Sequence, residues 1–209
     1  MHNVQKQSYI SITVFLTFNT ETQYEVMTSE ETKISKFLSL ILRHQPKRID
    51  LVLDKNGWAH VDELMSKAKN KSIDLTLEKL KTVVENNDKK RFIFSADFKK
   101  IRANQGHSVN VDLEFQEVKP PAILYHGTAT RNLRSIKTKG LLKGKRHHVH
   151  LSADPETAKK VGMRYGKPVV LEIDTGQMQK DGLKFFRSKN GVWLTEYVSP
   201  EYIKLDALH

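Results

Sequence analysis

The chain has 209 residues, with 35 Lys or Arg against 24 Asp or Glu, a formal net charge of +11 and no cysteine. That length allows one or two domains with a real core, and basic residues spread along the chain point to a polyanion met by folded surface. The missing cysteines exclude a disulfide framework, a thiolate nucleophile and any Cys-ligated zinc or iron–sulfur site, and no apolar run reaches the length of a membrane span.

Ile10, Ile12 and Val14 alternate as one strand would. The run from Tyr9 to Phe18 is broken by Ser11, Thr13 and Thr17 and lacks a small-residue cleavage site. No targeting segment is read, and a cytoplasmic location is expected. Met27 begins a natural start, so residues 1–27 are taken as an extension of unknown role.

From Thr28 the signals sharpen. Thr28-x-x-Glu31 is a capping box, and Ile34, Phe37, Leu38, Ile41 and Leu42 share one helical face. Pro46 stops that helix, leaving Arg43 and His44 at its C-terminus, where cations offset the dipole. Two short helices follow, one through Val61, Leu64, Met65 and Ala68, the other through Leu77, Leu80, Val83 and Val84 with Thr76 as N-cap. Lys89-Lys90-Arg91, Phe92 to Phe94, a turn at Ala96-Asp97 and Lys99 to Ala103 read as a basic β-hairpin. Three helices and a basic wing suggest, by fold-level analogy, a winged-helix module over residues 28–118.

Val118-Lys119-Pro120-Pro121 is the best boundary, because paired prolines resist helix and central strand alike. Beyond it, over residues 119–209, short elements alternate. Strands are expected at Ile123 to His126, ending in Gly127-Thr128, then at His148 to Ser152 and Pro168 to Ile173. Leu133 and Ile136 mark a helix stopped by Gly140, and Asp154-Pro155 starts another. Asn190-Gly191 is a hairpin turn leading into Val192 to Thr195. The fold class is therefore α+β rather than a doubly wound sheet.

Signatures for nucleotide phosphates are absent: no Walker loop and no strand–GxGxxG–helix unit. His147, His148 and His150 are crowded, but without Cys or an HExxH pattern no metal is expected. On a strand, His148 and His150 share one face and Val149 takes the other. The stretch Ile101 to Ser108 packs a cation, amides, a glycine, an imidazole and a hydroxyl into eight positions. An apolar core needs almost none of these, although a polar connector explains them too.

Leu42-Arg43-His44-Gln45-Pro46, Ile101-Arg102-Ala103-Asn104-Gln105-Gly106-His107-Ser108, Leu124-Tyr125-His126-Gly127-Thr128, His148-Val149-His150-Leu151-Ser152 and Gly191-Val192-Trp193-Leu194-Thr195 occur in that order. Together they resemble the RNA (tRNA) 2′-phosphotransferase family, from about Lys33 to Leu205. The resemblance implies a winged-helix lobe followed by an ADP-ribosyltransferase-like, β-rich lobe. It also implies NAD+-dependent removal of an internal RNA 2′-phosphate, as at a tRNA splice junction, through an ADP-ribosylated RNA. NAD+ would be consumed as co-substrate.

The resemblance assigns a catalytic anion cradle to Arg43, His44, Arg102 and Arg164. Arg suits a phosphate because its planar fork matches the oxygens and stays charged; His44 alone of the four titrates near neutrality. His126, Gly127, Thr128, His150 and Ser152 are the expected NAD+ contacts. Lys89, Lys90, Arg91, Gln105, Gly106 and His107 are expected to meet RNA, with closing the cleft between the lobes as the alternative for the last three. Protein-modifying ADP-ribosyltransferases carry a catalytic Glu where this chain has Val192, a departure that suits a nucleophile already anionic. The expected partner is RNA bearing a 2′-phosphate, and a monomer is expected. Two alternatives stay open: ADP-ribosylation of terminal RNA or DNA phosphates, and a non-catalytic winged-helix binder.

Overall fold

Thr28 caps the first helix as its spacing predicts: its hydroxyl accepts from the Glu31 N–H, and its own N–H donates to the Glu31 carboxylate at 2.6 Å. The computed structural model describes residues 28–204, so the strand expected around Ile10 to Val14 and the start at Met27 lie outside the described residues. Helix α1 (Ser29–Arg43) buries Leu38, Ile41 and Leu42 completely. A 3-10 turn at Pro46–Ile49 follows.

Next come β1 (Ala59–His60), α2 (Val61–Lys69), α3 (Leu77–Glu85), β2 (Phe92–Phe94) and β3 (Lys100–Ala103). Thr76 caps α3 through its side chain. The basic hairpin forms with Ile93 opposite Arg102, and β1 adds a third strand against β3, in the order β1-β3-β2. A two-residue strand has no periodicity of its own, so only long-range pairing reveals β1. These elements enclose one apolar cluster, in which Leu64, Leu80 and Ile101 are fully buried.

The second apolar cluster is built from residues beyond the Pro120-Pro121 pair. Its elements are β4 (Ile123–Ala129), α4 (Leu133–Lys139), β5 (Leu141–Leu142), β6 (Val149–Leu151), α5 (Pro155–Gly162), β7 (Pro168–Asp174), α6 (Thr175–Lys180), β8 (Phe186–Arg187), β9 (Trp193–Thr195), β10 (Tyr197–Val198) and β11 (Ile203–Lys204). One sheet runs β11-β7-β4 and another β6-β9-β8, while β5 pairs with β10. Reciprocal main-chain bonds between Tyr125 and Ser152, both 2.8 Å, join β4 to the end of β6.

Strand β4 continues three residues past His126, because Gly127, Thr128 and Ala129 stay paired with Val170, Val169 and Pro168. Gly127 is required there. A Cβ at this position would lie 1.6 Å from the Ala158 carbonyl oxygen, so the missing side chain lets α5 lie directly on β4. The mixed helix and sheet content is that of an α+β protein, and among the described residues no helix is long and apolar enough to cross a membrane.

Candidate active site

The apolar face of α1 fixes the helix against the first cluster, and the helix ends by presenting Arg43 and His44. The Arg43 guanidinium lies 5.8 Å from the Phe92 ring centroid and donates weakly, at 3.4 Å, to the Arg91 carbonyl. Its Nε is buried with no hydrogen-bond partner among the described residues. Burial first, then Arg91 and Arg146, push its pKa down to about 10. No carboxylate within 4.0 Å pairs with it among the described residues. Partly buried positive charge without a carboxylate partner costs free energy until an anion arrives.

The Arg43 carbonyl accepts the N–H groups of Ser108 and Val109, at 2.9 and 3.3 Å, which ties the Ile101–Ser108 stretch to the end of α1. His44 Nδ1 and Ser108 Oγ share a hydrogen bond at 3.0 Å. Burial, then Arg43 and Arg146, lower the His44 pKa, which leaves its ring neutral at pH 7. Its Nε2 has no protein partner among the described residues and is available to a substrate.

Strand β3 delivers Arg102, only 8% exposed. Its guanidinium stacks 4.5 Å above the Trp58 ring and donates to the Asn56 carbonyl at 3.1 Å, yet Nε is buried without a partner. Desolvation lowers its pKa, while Glu114 and Asp54 act the other way. Asn104 braces the stretch through bonds to the Lys90 and Arg91 carbonyls. Gln105 is half-buried. Gly106 takes φ +84°, and a Cβ on it would touch His150 and Arg43 at 3.6 and 3.8 Å, so the backbone passes close between the two clusters.

His107 departs from the expectation that it meets RNA. It is 1% exposed, with neither ring nitrogen partnered, and its ring sits 6.5 Å from that of His147. It shares a closed pocket with Gln105, Gly106, Leu113, Phe115, His147, His148, His150 and Leu194, and so fills the seam between the clusters. Burial, then Arg43 and His147, push its pKa to about 3. The Ile101–Ser108 stretch is thus an internal strut, which explains why its polar residues do not behave as a surface connector.

On the other side of the seam, His126 Nδ1 lies 3.0 Å from the His150 carbonyl oxygen, and burial lowers its pKa. His150 faces Arg146 at 3.5 Å and is pushed to about 3, by burial first and then by Arg146 and Arg43. Both rings are therefore neutral at pH 7. Thr128 is buried, and its hydroxyl accepts from Asn132 at 3.1 Å. Ser152 Oγ is engaged with the Asp154 backbone in both directions. These two hydroxyls bond within their own chain, while the imidazoles of His126 and His150 are partly buried. His147, His148 and His150 do not converge as metal ligands: His147 Nε2 binds the Val109 carbonyl, and His148 packs on Phe115 and Phe186.

Arg164 lies in a 3-10 turn after α5 and is exposed. Burial and then the Arg164 charge lower the pKa of Lys89, and for Arg91 burial lowers it, Asp88 acts the other way and Arg164 adds to the lowering. The Lys89 carbonyl also accepts from Asn190 at 2.8 Å, a bond between the two halves. Lys90 is exposed and donates to the Glu85 carbonyl at the end of α3.

The fifth arginine of this region, Arg146, escaped sequence reasoning. It depresses the pKa of Arg43, His44, His126 and His150 alike. With His44, Gln45, Ser108, Lys143 and Lys145 it lines an open cavity of about 450 Å³. Its position immediately before the His147–His150 run was the available signal. As a whole the arrangement offers the partly buried Arg43 and the buried Arg102, neither with a carboxylate within 4.0 Å among the described residues, one free imidazole nitrogen and a neutral histidine pair. It can hold a multiply charged anion against a neutral, partly apolar wall.

The model of the RNA 2′-phosphotransferase, Tpt1/KptA family matches residues 29–197. A protein of Fusobacterium nucleatum described as a probable RNA 2′-phosphotransferase is 53% identical over 175 residues, 83% of this chain and 98% of that protein. Proteins of the same description from Flavobacterium johnsoniae and Acaryochloris marina are 54% and 56% identical, covering 82% and 81% of this chain and 94% and 93% of their own length. With a family match over most of its length and relatives above half identity, this chain belongs to the RNA 2′-phosphotransferase, Tpt1/KptA family of transferases.

Proposed function

We propose that the protein removes an internal 2′-phosphate from RNA, such as a tRNA splice junction carries, with NAD+ as the co-substrate that accepts it. Residues 28–118 act as a winged-helix RNA-binding lobe and residues 119–209 as an ADP-ribosyltransferase-like lobe that holds NAD+. The protein works as a cytoplasmic monomer. The observation that carries the reading is the partly buried Arg43 guanidinium, whose Nε is buried without a partner, whose charged neighbours Arg91 and Arg146 are also cations and which has no carboxylate partner among the described residues. Such a site is electrostatically incomplete until a dianion enters it.

The chemistry follows from that charge. A phosphate monoester is already ionised near pH 7, so the first step needs positioning rather than a general base. A 2′-phosphate oxygen bonds to C1″ of the nicotinamide ribose as the C1″–nitrogen bond breaks, and nicotinamide leaves with the electron pair. In the second step the ribose O2″ bonds to phosphorus and loses its proton. The RNA 2′-oxygen leaves and takes one up, giving 2′-OH RNA and ADP-ribose 1″,2″-cyclic phosphate. Arg43, Arg102 and Arg164 hold the phosphoryl oxygens, and His44 carries the proton through its free Nε2, oriented by the bond from Nδ1 to Ser108. The neutral rings of His126 and His150 border the nicotinamide ribose, where a protonated imidazole would repel the cationic ring of NAD+.

The test is direct. A short RNA with one internal 2′-phosphate is incubated with and without NAD+, and both RNA and nucleotide products are resolved. The expected outcome is NAD+-dependent loss of the phosphate with one equivalent of the cyclic phosphate. RNA that binds without turning over would instead support a non-catalytic module. In the same assay His44→Ala and His44→Asn should accumulate ADP-ribosylated RNA; turnover stopping before that intermediate would remove the second-step role of His44.

A further inference from the structure

The cavity beside His44 is larger than the reacting phosphate requires, and its outer wall is made of cations that the reaction above does not use. Lys143, Lys145 and Arg146 project from the turn between β5 and β6, while His44, Gln45 and Ser108 form the opposite wall. All three cations are exposed. Lys143 is held by Glu196 at 2.9 Å, but Lys145 and Arg146 have no carboxylate partner among the described residues. A solvated cationic turn on an otherwise featureless surface would be unremarkable. This one closes a concave site, shares His44 with the anion cradle, and brings Arg146 within 3.5 Å of His150.

The chemistry of an internal 2′-phosphate says which second anion arrives there. The ribose that bears it also carries a phosphodiester on the neighbouring 3′-oxygen, so two phosphates enter side by side on one sugar. A phosphomonoester at the end of a strand with a free 3′-OH brings no such neighbour. We propose that the Lys143–Lys145–Arg146 wall is a second phosphate subsite, occupied by the 3′,5′-phosphodiester adjoining the 2′-phosphate. The subsite makes an internal 2′-phosphate a better substrate than a terminal one, and it rests on the reading of the protein as an RNA 2′-phosphotransferase. The pyrophosphate of NAD+ has the same anionic chemistry, and the experiment separates the two sources.

Lys145→Ala, Arg146→Ala and the double variant are compared with the unmodified protein on two RNAs. One has an internal 2′-phosphate; the other is the same oligonucleotide ending at a 2′-phosphate with a free 3′-OH. Salt-dependent binding of an RNA lacking any 2′-phosphate is measured in parallel, and melting curves check that the variants fold. The expected result is a loss of about tenfold or more in kcat/KM for the internal phosphate in the double variant. The terminal phosphate should change less than about threefold, and KM for NAD+ should hold. The salt dependence of RNA binding should fall by about 0.7 in log–log slope for each cation removed, as for single-stranded contacts.

Equal losses on the two RNAs would overturn the subsite, and a raised KM for NAD+ with unchanged RNA dependence would assign the wall to the pyrophosphate instead. If the unmodified protein turned over neither RNA, the 2′-phosphotransferase reading would fail by itself. The binding arm would still decide the subsite, since an unchanged salt slope in the double variant leaves no phosphate on this wall.

Discussion

The two halves of the molecule carry the cations of the candidate site in opposite ways. In the N-terminal half Arg43 and Arg102 are sunk among Phe92, Trp58 and main-chain carbonyls, each with a buried Nε lacking a partner. In the C-terminal half Lys143, Lys145, Arg146 and Arg164 are exposed. A buried guanidinium cannot reorganise and is poorly screened, so it acts on charge held at one point; an exposed cation acts at longer range and yields to salt. Under the proposed function, the end of α1 and β3 supply fixed charge beside the phosphate, Arg164 reaches it from an exposed turn, and the turn after β5 supplies charge that acts at longer range.

Arg43→Met should expose this division most strongly. Removing one preorganised donor to developing charge costs on the order of 10²–10³ in kcat. The same change removes a partly buried cation without a carboxylate partner and substitutes apolar volume, so thermal stability should hold or rise. Turnover and melting temperature measured on one preparation check both halves of the statement. A steep fall in melting temperature would make Arg43 a structural cation and erase the contrast.

Gly127→Ala attacks the other half through its scaffold. The added methyl meets the Ala158 carbonyl, a backbone atom that cannot step aside, so α5 must lift from β4. Overpacking of this kind costs about 1–3 kcal/mol, read as a lower denaturation midpoint. Because β4 carries His126 and the end of α5 leads to Arg164, activity should fall further than stability alone predicts. Loss of fold without any displacement of those two residues in a variant structure would contradict the link.

Acid should open the seam between the halves. His107 is buried with its pKa pushed from 6.5 to about 3, so the unfolded chain binds a proton that the folded protein refuses. Stability from this group is therefore intact above pH 6.5 and is lost progressively as pH falls toward 3. The slope is about 1.4 kcal/mol per pH unit while only the unfolded form is protonated. His150 shifts in the same direction and steepens the fall. Denaturation midpoints from pH 7 to 4 should decline, and His107→Gln should flatten that decline. A parallel decline in His107→Gln would place the acid sensitivity elsewhere.

Much of the scaffold was legible because its signals are local. The Thr28–Glu31 box, the Thr76 cap and the Asp154-Pro155 start each satisfy helix ends within a few residues, and each helix begins where they place it. What escaped depends on distant partners. Strand β1 exists only through pairing with β3. Helix α6 follows directly from β7, and its Thr175-Gly176 opening hides the helical pattern. At the candidate site, motif order pointed to Arg43, His44 and Arg102, whereas the burial of His107 depends on the second cluster closing over it. Arg146 shows the same limit. Nothing in a Lys-Arg-His-His run states that it will face the end of α1, since that meeting requires both halves to be folded.

The smallest effect is expected at Glu196, where the contrast between buried and exposed charge can be tuned without touching the reaction. Glu196 is exposed and binds, at 2.9 Å, Lys143, which lines the cavity beside His44. Exposed ion pairs contribute little to folding, so Glu196→Gln should leave the melting temperature within error. Its consequence is electrostatic. Lys143 is released and one repelling charge is lost from the path of an incoming phosphate, so RNA affinity should rise by about twofold at low salt and converge with the unmodified protein at high salt. Binding titrations at two ionic strengths read this directly. A gain that persisted at high salt would mean that Glu196 acts by contact rather than through its field, and that the outer wall is less solvated than the exposure of its cations suggests.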